Sequence, residues 1–140
     1  MTITDMQQAE RASRVRSALM AAMAVILLIN AFIAPGESST MTPALRHGIW
    51  AAMIVLWLVI LATGGWLQLT RRVRSLMNDE VAMANRAQAL QTGFWTASLA
   101  GVALYFASLE WTVSAHVAIR ILVDIAVAAA MLRYAWLELR

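Results

Sequence analysis

The stretch that most narrows what this chain can become is residues 113 to 134, VSAHVAIRILVDIAVAAAMLRY, which is long enough to cross a bilayer yet carries charge near its middle. His116, Arg120 and Asp124 recur every fourth position, so on a helix they form one slowly drifting polar stripe. That stripe cannot face lipid. A charge near the centre of a membrane helix costs roughly 2.5 to 3.5 kcal/mol on insertion scales, so Arg120 and Asp124 are expected to pair and to turn toward protein. The plainer reading is a structural ion pair that fixes the inward face of the last helix, and the alternative is a proton, ion or substrate site.

Composition agrees with a membrane setting. Of 140 residues, 61% are hydrophobic and 14% charged, and the mean hydropathy is +0.68. Ordinary soluble domains run at about 45 to 50% apolar and about 25% charged. The length holds four spans of roughly 20 residues and short connections, which predicts one all-α domain over residues 1 to 140. Its spans fall at 17–34, 47–69, 94–110 and 113–134, with a cytoplasmic helical hairpin over 70–93. With no cysteine, thiolate catalysis, disulfide exchange and cysteine metal sites are excluded. The net charge of +3 rests on arginine alone, since the chain has no lysine; such charge orients spans and does not point to nucleic acid.

Residues 1 to 16 are polar and end in Arg11, Arg14 and Arg16. Thr4 and Gln7 are spaced as a capping box, so a helix is expected to start near Asp5 and to run on into the membrane. The apolar run from Ala18 to Ala34 exceeds the usual 7 to 15 residues of a signal-peptide core, which favours a retained first span. Pro35 and Gly36 end it. Thr42 and Pro43 are placed as the N-cap and first residue of the second helix, whose span lies between Trp50 and Trp66. Asn78 is a good cap for the third helix, with Asp79 and Glu80 in the first turn where the dipole favours negative charge. Helices one and three should therefore project beyond the bilayer.

Small residues recur four apart in the third span: Thr96 with Ala100, Ala97 with Gly101, and Ala103 with Ala107. Such spacing permits close helix approach, within the bundle in the simpler reading. Arg11, Arg14, Arg16, Arg71, Arg72, Arg74, Arg86, Arg133 and Arg140 fall on one side of these spans and only Arg46 on the other. The positive-inside rule then places both termini and the 70–93 connection in the cytoplasm.

Within the membrane, Trp57 is expected at the depth of Asp124 as a donor, and Asn30 and Tyr105 at depths where they would meet Arg120. His47 and His116 lie near the non-cytoplasmic ends of helices two and four, where paired imidazoles could ligate a haem; interfacial or hydrogen-bonded histidines are the simpler account, and no cofactor is expected. A faint repeat is visible: His47 precedes the WLQLTR that begins at Trp66, as His116 precedes WLELR at Trp136, which would suit parallel helical hairpins. Phosphate loops, paired catalytic carboxylates and nucleophile motifs are missing, so the chain is not expected to be an enzyme.

At the hairpin, Asn78, Asp79 and Glu80, then Asn85, Arg86 and Ala89, then Gly93, Phe94 and Trp95 form a pattern that resembles one in small bacterial four-span proteins. Those proteins resemble the membrane partners of XRE-type helix-turn-helix regulators. The resemblance covers about twenty residues and implies an inner-membrane protein that holds a regulator away from its operators. The function expected is a non-enzymatic regulatory one, with a cytoplasmic partner bound through Arg72, Arg74, Asp79, Glu80 and Arg86. The alternatives are a small transporter, as a homodimer, using Arg120 and Asp124, or an accessory subunit of a larger membrane complex.

Overall fold

The computed structural model describes residues 3–32, 41–63 and 80–139, which form four α-helices with no strand among them. These are α1 (Ile3–Phe32), α2 (Pro43–Thr63), α3 (Glu80–Glu110) and α4 (Ala115–Leu139). Each is long and apolar enough to cross a membrane, so the chain is an all-α, multi-pass bundle. Helix α2 opens at Pro43 as its sequence directs, with the Thr42 carbonyl accepting the Arg46 N–H at 3.1 Å. At 1.5 Å per residue α1 and α3 are each about 45 Å long, against about 30 Å of hydrocarbon, so both overreach the bilayer core.

Helix α4 is the hub. It runs beside α1 and α3 along most of its length and touches α2 more sparingly. Buried on α1 are Arg16 and Ser17, and from Ser17 onward Met20, Ala24, Leu27 and Ala31 follow alternately three and four apart, which makes a single stripe. In α2 the stripe is Ile54, Trp57 and Leu61. In α4 it widens to Asp124, Val127, Ala128, Ala130, Met131, Tyr134 and Ala135, because neighbours cover that helix from several sides.

The small-residue face of α3 is spent inside the bundle. A Cβ on Gly93 would lie 2.9 Å from the Ala126 carbonyl oxygen and 3.0 Å from the Ala130 Cβ, so the α3 and α4 backbones meet here because no side chain intervenes. At Gly101 the nearest atom would be Leu122 Cδ1 at 3.4 Å, an ordinary contact with a flexible side chain. Ala97 and Ala107 are half-buried on this face, whereas Ala103 is exposed. The outer face carries Phe94, Trp95, Leu99, Val102, Tyr105, Phe106 and Leu109. The hydroxyls of α3 have no need of a partner helix: Thr92, Thr96 and Ser98 donate to the carbonyls of Gln88, Thr92 and Phe94 on their own helix.

Candidate functional site

Two polar layers interrupt the apolar core, each built between α1 and α4. Residues Arg16 and Asn30 stand fourteen apart on α1, as do Asp124 and Glu138 on α4. Two heptads on each helix therefore carry a polar pair at both ends, and the helices run antiparallel with those pairs in register. Met20, Ala24 and Leu27 of α1 and Val127, Ala128 and Met131 of α4 fill the interval, about 20 Å of apolar side chains at 1.5 Å per residue.

The first layer gathers three helices around Asp124, whose side chain is fully buried. Trp50 Nε1 of α2 donates to its Oδ1 at 2.9 Å, and Asn30 Nδ2 of α1 approaches Oδ2 at 3.5 Å. Arg120 Nε stands 3.8 Å from Oδ2, a looser ion pair. The guanidinium is committed elsewhere: Nη2 donates to the Asn30 carbonyl at 2.5 Å and to Asn30 Oδ1 at 2.9 Å. Asn30 lies in the last turn of α1, where carbonyls have no helical partner and the helix dipole is negative, and α1 has no basic residue of its own there. Arg120 thus caps α1 from a neighbouring helix. Its positive charge is used at one end of α1 while Asp124 offsets it.

The expectations for this layer hold unevenly. Asn30 meets Arg120. The indole on Asp124 belongs to Trp50 and not to Trp57, which sits among Ile54 and Leu61 with no acceptor for its N–H among the described residues. The reason is where α2 begins. Helix and span do not start together: Pro43 opens the helix one turn before His47, so depths counted from the span edge are shifted, and Trp50 occupies the same face two turns earlier. Tyr105 is 63% exposed and packs against Phe106, so it does not reach Arg120. The polar stripe also surfaces as it climbs, from buried Asp124 through half-buried Arg120 to exposed His116. There the His116 ring meets that of His47, with centroids 6.2 Å apart.

The second layer lies at the opposite end and escaped the sequence reading. Arg16 of α1 pairs with Glu138 of α4 at 2.5 Å, with both side chains almost wholly buried. The Tyr134 hydroxyl donates to Glu138 Oε1 at 3.0 Å, and the Arg16 guanidinium lies 5.3 Å from the Tyr134 ring centre, within cation–π range. Arg86 of α3 is half-buried beside that hydroxyl, so it belongs to this inward layer. The signal that would have revealed the layer is the two-heptad spacing from Asn30 back to Arg16 and from Asp124 on to Glu138. Of the other residues expected at a partner surface, Glu80 is exposed at the start of α3. Arg72, Arg74 and Asp79 lie outside the described residues.

No protein-family model, curated protein or solved structure matches the chain.

Asp124 has no exposed surface and accepts from Trp50 of α2 and Asn30 of α1, whereas the Arg120 side chain keeps 23% of its surface exposed. Among the described residues no group of three or more histidine, aspartate or glutamate side chains is placed to hold a metal ion. Both layers join α1 to α4, and the first reaches α2 as well.

Proposed function

We propose that this chain is a non-enzymatic regulatory protein of a bacterial inner membrane, which binds a cytoplasmic protein at the end of the bundle where α1 and α3 project. The observation that supports this is exposed apolar surface near the start of α3, a helix longer than the bilayer core is thick. Beyond the Arg16–Glu138 layer α1 continues for thirteen residues toward Ile3, and α3 begins at Glu80, two turns before Arg86 reaches Tyr134. On that outer part of α3 and the turns that follow, Val81, Met83 and Leu90 are 65%, 53% and 45% exposed. Exposed apolar side chains at the edge of a membrane domain, with exposed Glu80 on the same helix and exposed Arg11 and Arg14 on α1, make a docking surface for a protein of matching chemistry. The excess of arginine at this end supports a cytoplasmic position for it and for both termini. A helix-turn-helix regulator is the partner that the sequence resemblance favours.

Arg86 is withdrawn from the contact set in this reading, because it faces Tyr134; Glu80, Val81 and Met83 take its place beside Asp79, Arg72 and Arg74. The chain would be purified from native membranes in mild detergent, alongside a form carrying Asp79→Lys and Glu80→Lys. We expect a soluble DNA-binding protein to come with the wild type and to be lost from the variant at equal membrane abundance. Equal capture by both forms removes this surface from consideration.

A further inference from the structure

We infer that His47 and His116 form a binding site for one divalent transition-metal ion, zinc or copper(II), bridging α2 and α4 at the end of the bundle remote from the proposed docking surface. The two residues are 69 positions apart in the chain, yet the parallel course of α2 and α4 brings their rings to a centroid separation of 6.2 Å at an interplanar angle of 84°. That separation is the one expected of two imidazoles opposed across one ion, and an inward swing of these exposed rings by about 1 Å gives the tetrahedral spacing zinc prefers. With about 2.0 to 2.1 Å from metal to each imidazole nitrogen and about 1.1 Å more to each ring centre, two ligands on one ion have centres about 5 Å apart at a tetrahedral angle and about 6 Å apart when opposed. Both rings are exposed on the outside of the bundle, near the starts of α2 and α4, so an ion reaches them without opening it. Ser114 Oγ lies 3.5 Å from His116 Nε2 and supplies an outer oxygen of the kind that orients a ligating ring.

No third histidine or carboxylate joins the pair among the described residues, so water completes the coordination. Two neutral imidazoles without a thiolate select the later first-row ions over magnesium or calcium, which prefer oxygen ligands. The mechanical consequence falls on α2, the helix that α4 holds most sparingly. An ion across His47 and His116 staples α2 to the hub on the same side as the Trp50–Asp124 bond. This inference is independent of the regulatory reading, since it concerns the opposite end of the molecule.

The test uses the full chain in detergent micelles, purified through a tag without histidine, with zinc chloride and copper(II) sulfate as probes. The wild type should bind one ion per chain, and at an ion concentration 100 times the dissociation constant its folded-to-unfolded ratio should rise about 100-fold. His47→Ala and His116→Ala should each abolish that rise; both side chains are exposed, so the variants should keep the size-exclusion profile of the wild type. Copper(II) on the wild type should show two coupled nitrogens by electron paramagnetic resonance, and one on either variant. Equal binding by wild type and variants, or a spectrum without imidazole nitrogen, overturns the site.

Discussion

At the scale of single residues, the two tryptophans of α2 separate a side chain that bonds from one that fills space. Trp50 places its N–H on a buried carboxylate, a hydrogen bond to a charged group of the class worth about 1.5 to 3 kcal/mol. Trp57 is more enclosed than Trp50, but its N–H finds no acceptor among the described residues, so an apolar ring of similar shape loses nothing polar there. We expect Trp50→Phe to destabilise the protein by about 2 kcal/mol, and Trp57→Phe to lie within about 1 kcal/mol of the wild type, because it removes an unsatisfied donor while shrinking the ring. Thermal unfolding of the two variants in one detergent reads the difference. Equal losses would mean that Trp50 is only packing. The sequence marks Asp124 as inward-facing because charge is costly in lipid, but it offers two indoles on one face of α2. Choosing between them requires the axial offset of α2 against α4, which no single helix encodes.

For the elements, the contact of α3 with α4 depends on one position. Gly93 sits where an added methyl group would press on the Ala126 carbonyl, a backbone atom that cannot rotate away. Gly48, near the start of α2, has nothing within 4 Å of the same construction. Gly93→Ala should therefore cost about 1 to 3 kcal/mol through overpacking. Gly48→Ala should be neutral or stabilising by up to about 1 kcal/mol, through helix propensity alone. The pair is read by thermal unfolding, and a tolerated Gly93→Ala would show that α3 and α4 do not approach as closely as described. That α3 has a small-residue face is legible in the spacing of Ala97 and Gly101. Which glycine makes the closest approach is not, since it depends on where the two axes cross.

Taken whole, the molecule is a hub helix with three neighbours, fastened to α1 at two levels. Because Arg16 pairs with Glu138, the start of the α1 span and the end of α4 lie at one end of the bundle. A reporter fused before Met1 and another after Arg140 should thus read the same side of the membrane, and one inserted between Gly36 and Thr40 the other. With the arginine excess on the side of the termini, green fluorescence is expected at both ends and alkaline phosphatase activity only from the insertion. Reporters at the two ends that read opposite sides would rule out the Arg16–Glu138 layer in the membrane-inserted protein.

The chain alone determined its solvent, its secondary structure and the number of its spans, because the cost of unpaired backbone and charge in hydrocarbon leaves a long apolar stretch no alternative to a helix. It also determined that Arg120 and Asp124 look inward. Only the tertiary structure decided that Arg120 caps α1 through Asn30, that Trp50 completes Asp124, that Arg16 and Glu138 close a second layer, and that two exposed histidines meet. Each of these depends on the register between helices distant in sequence, which side-chain packing sets jointly. Periodicity within one helix reports the direction of a face, but it carries no information about the depth at which that face meets another.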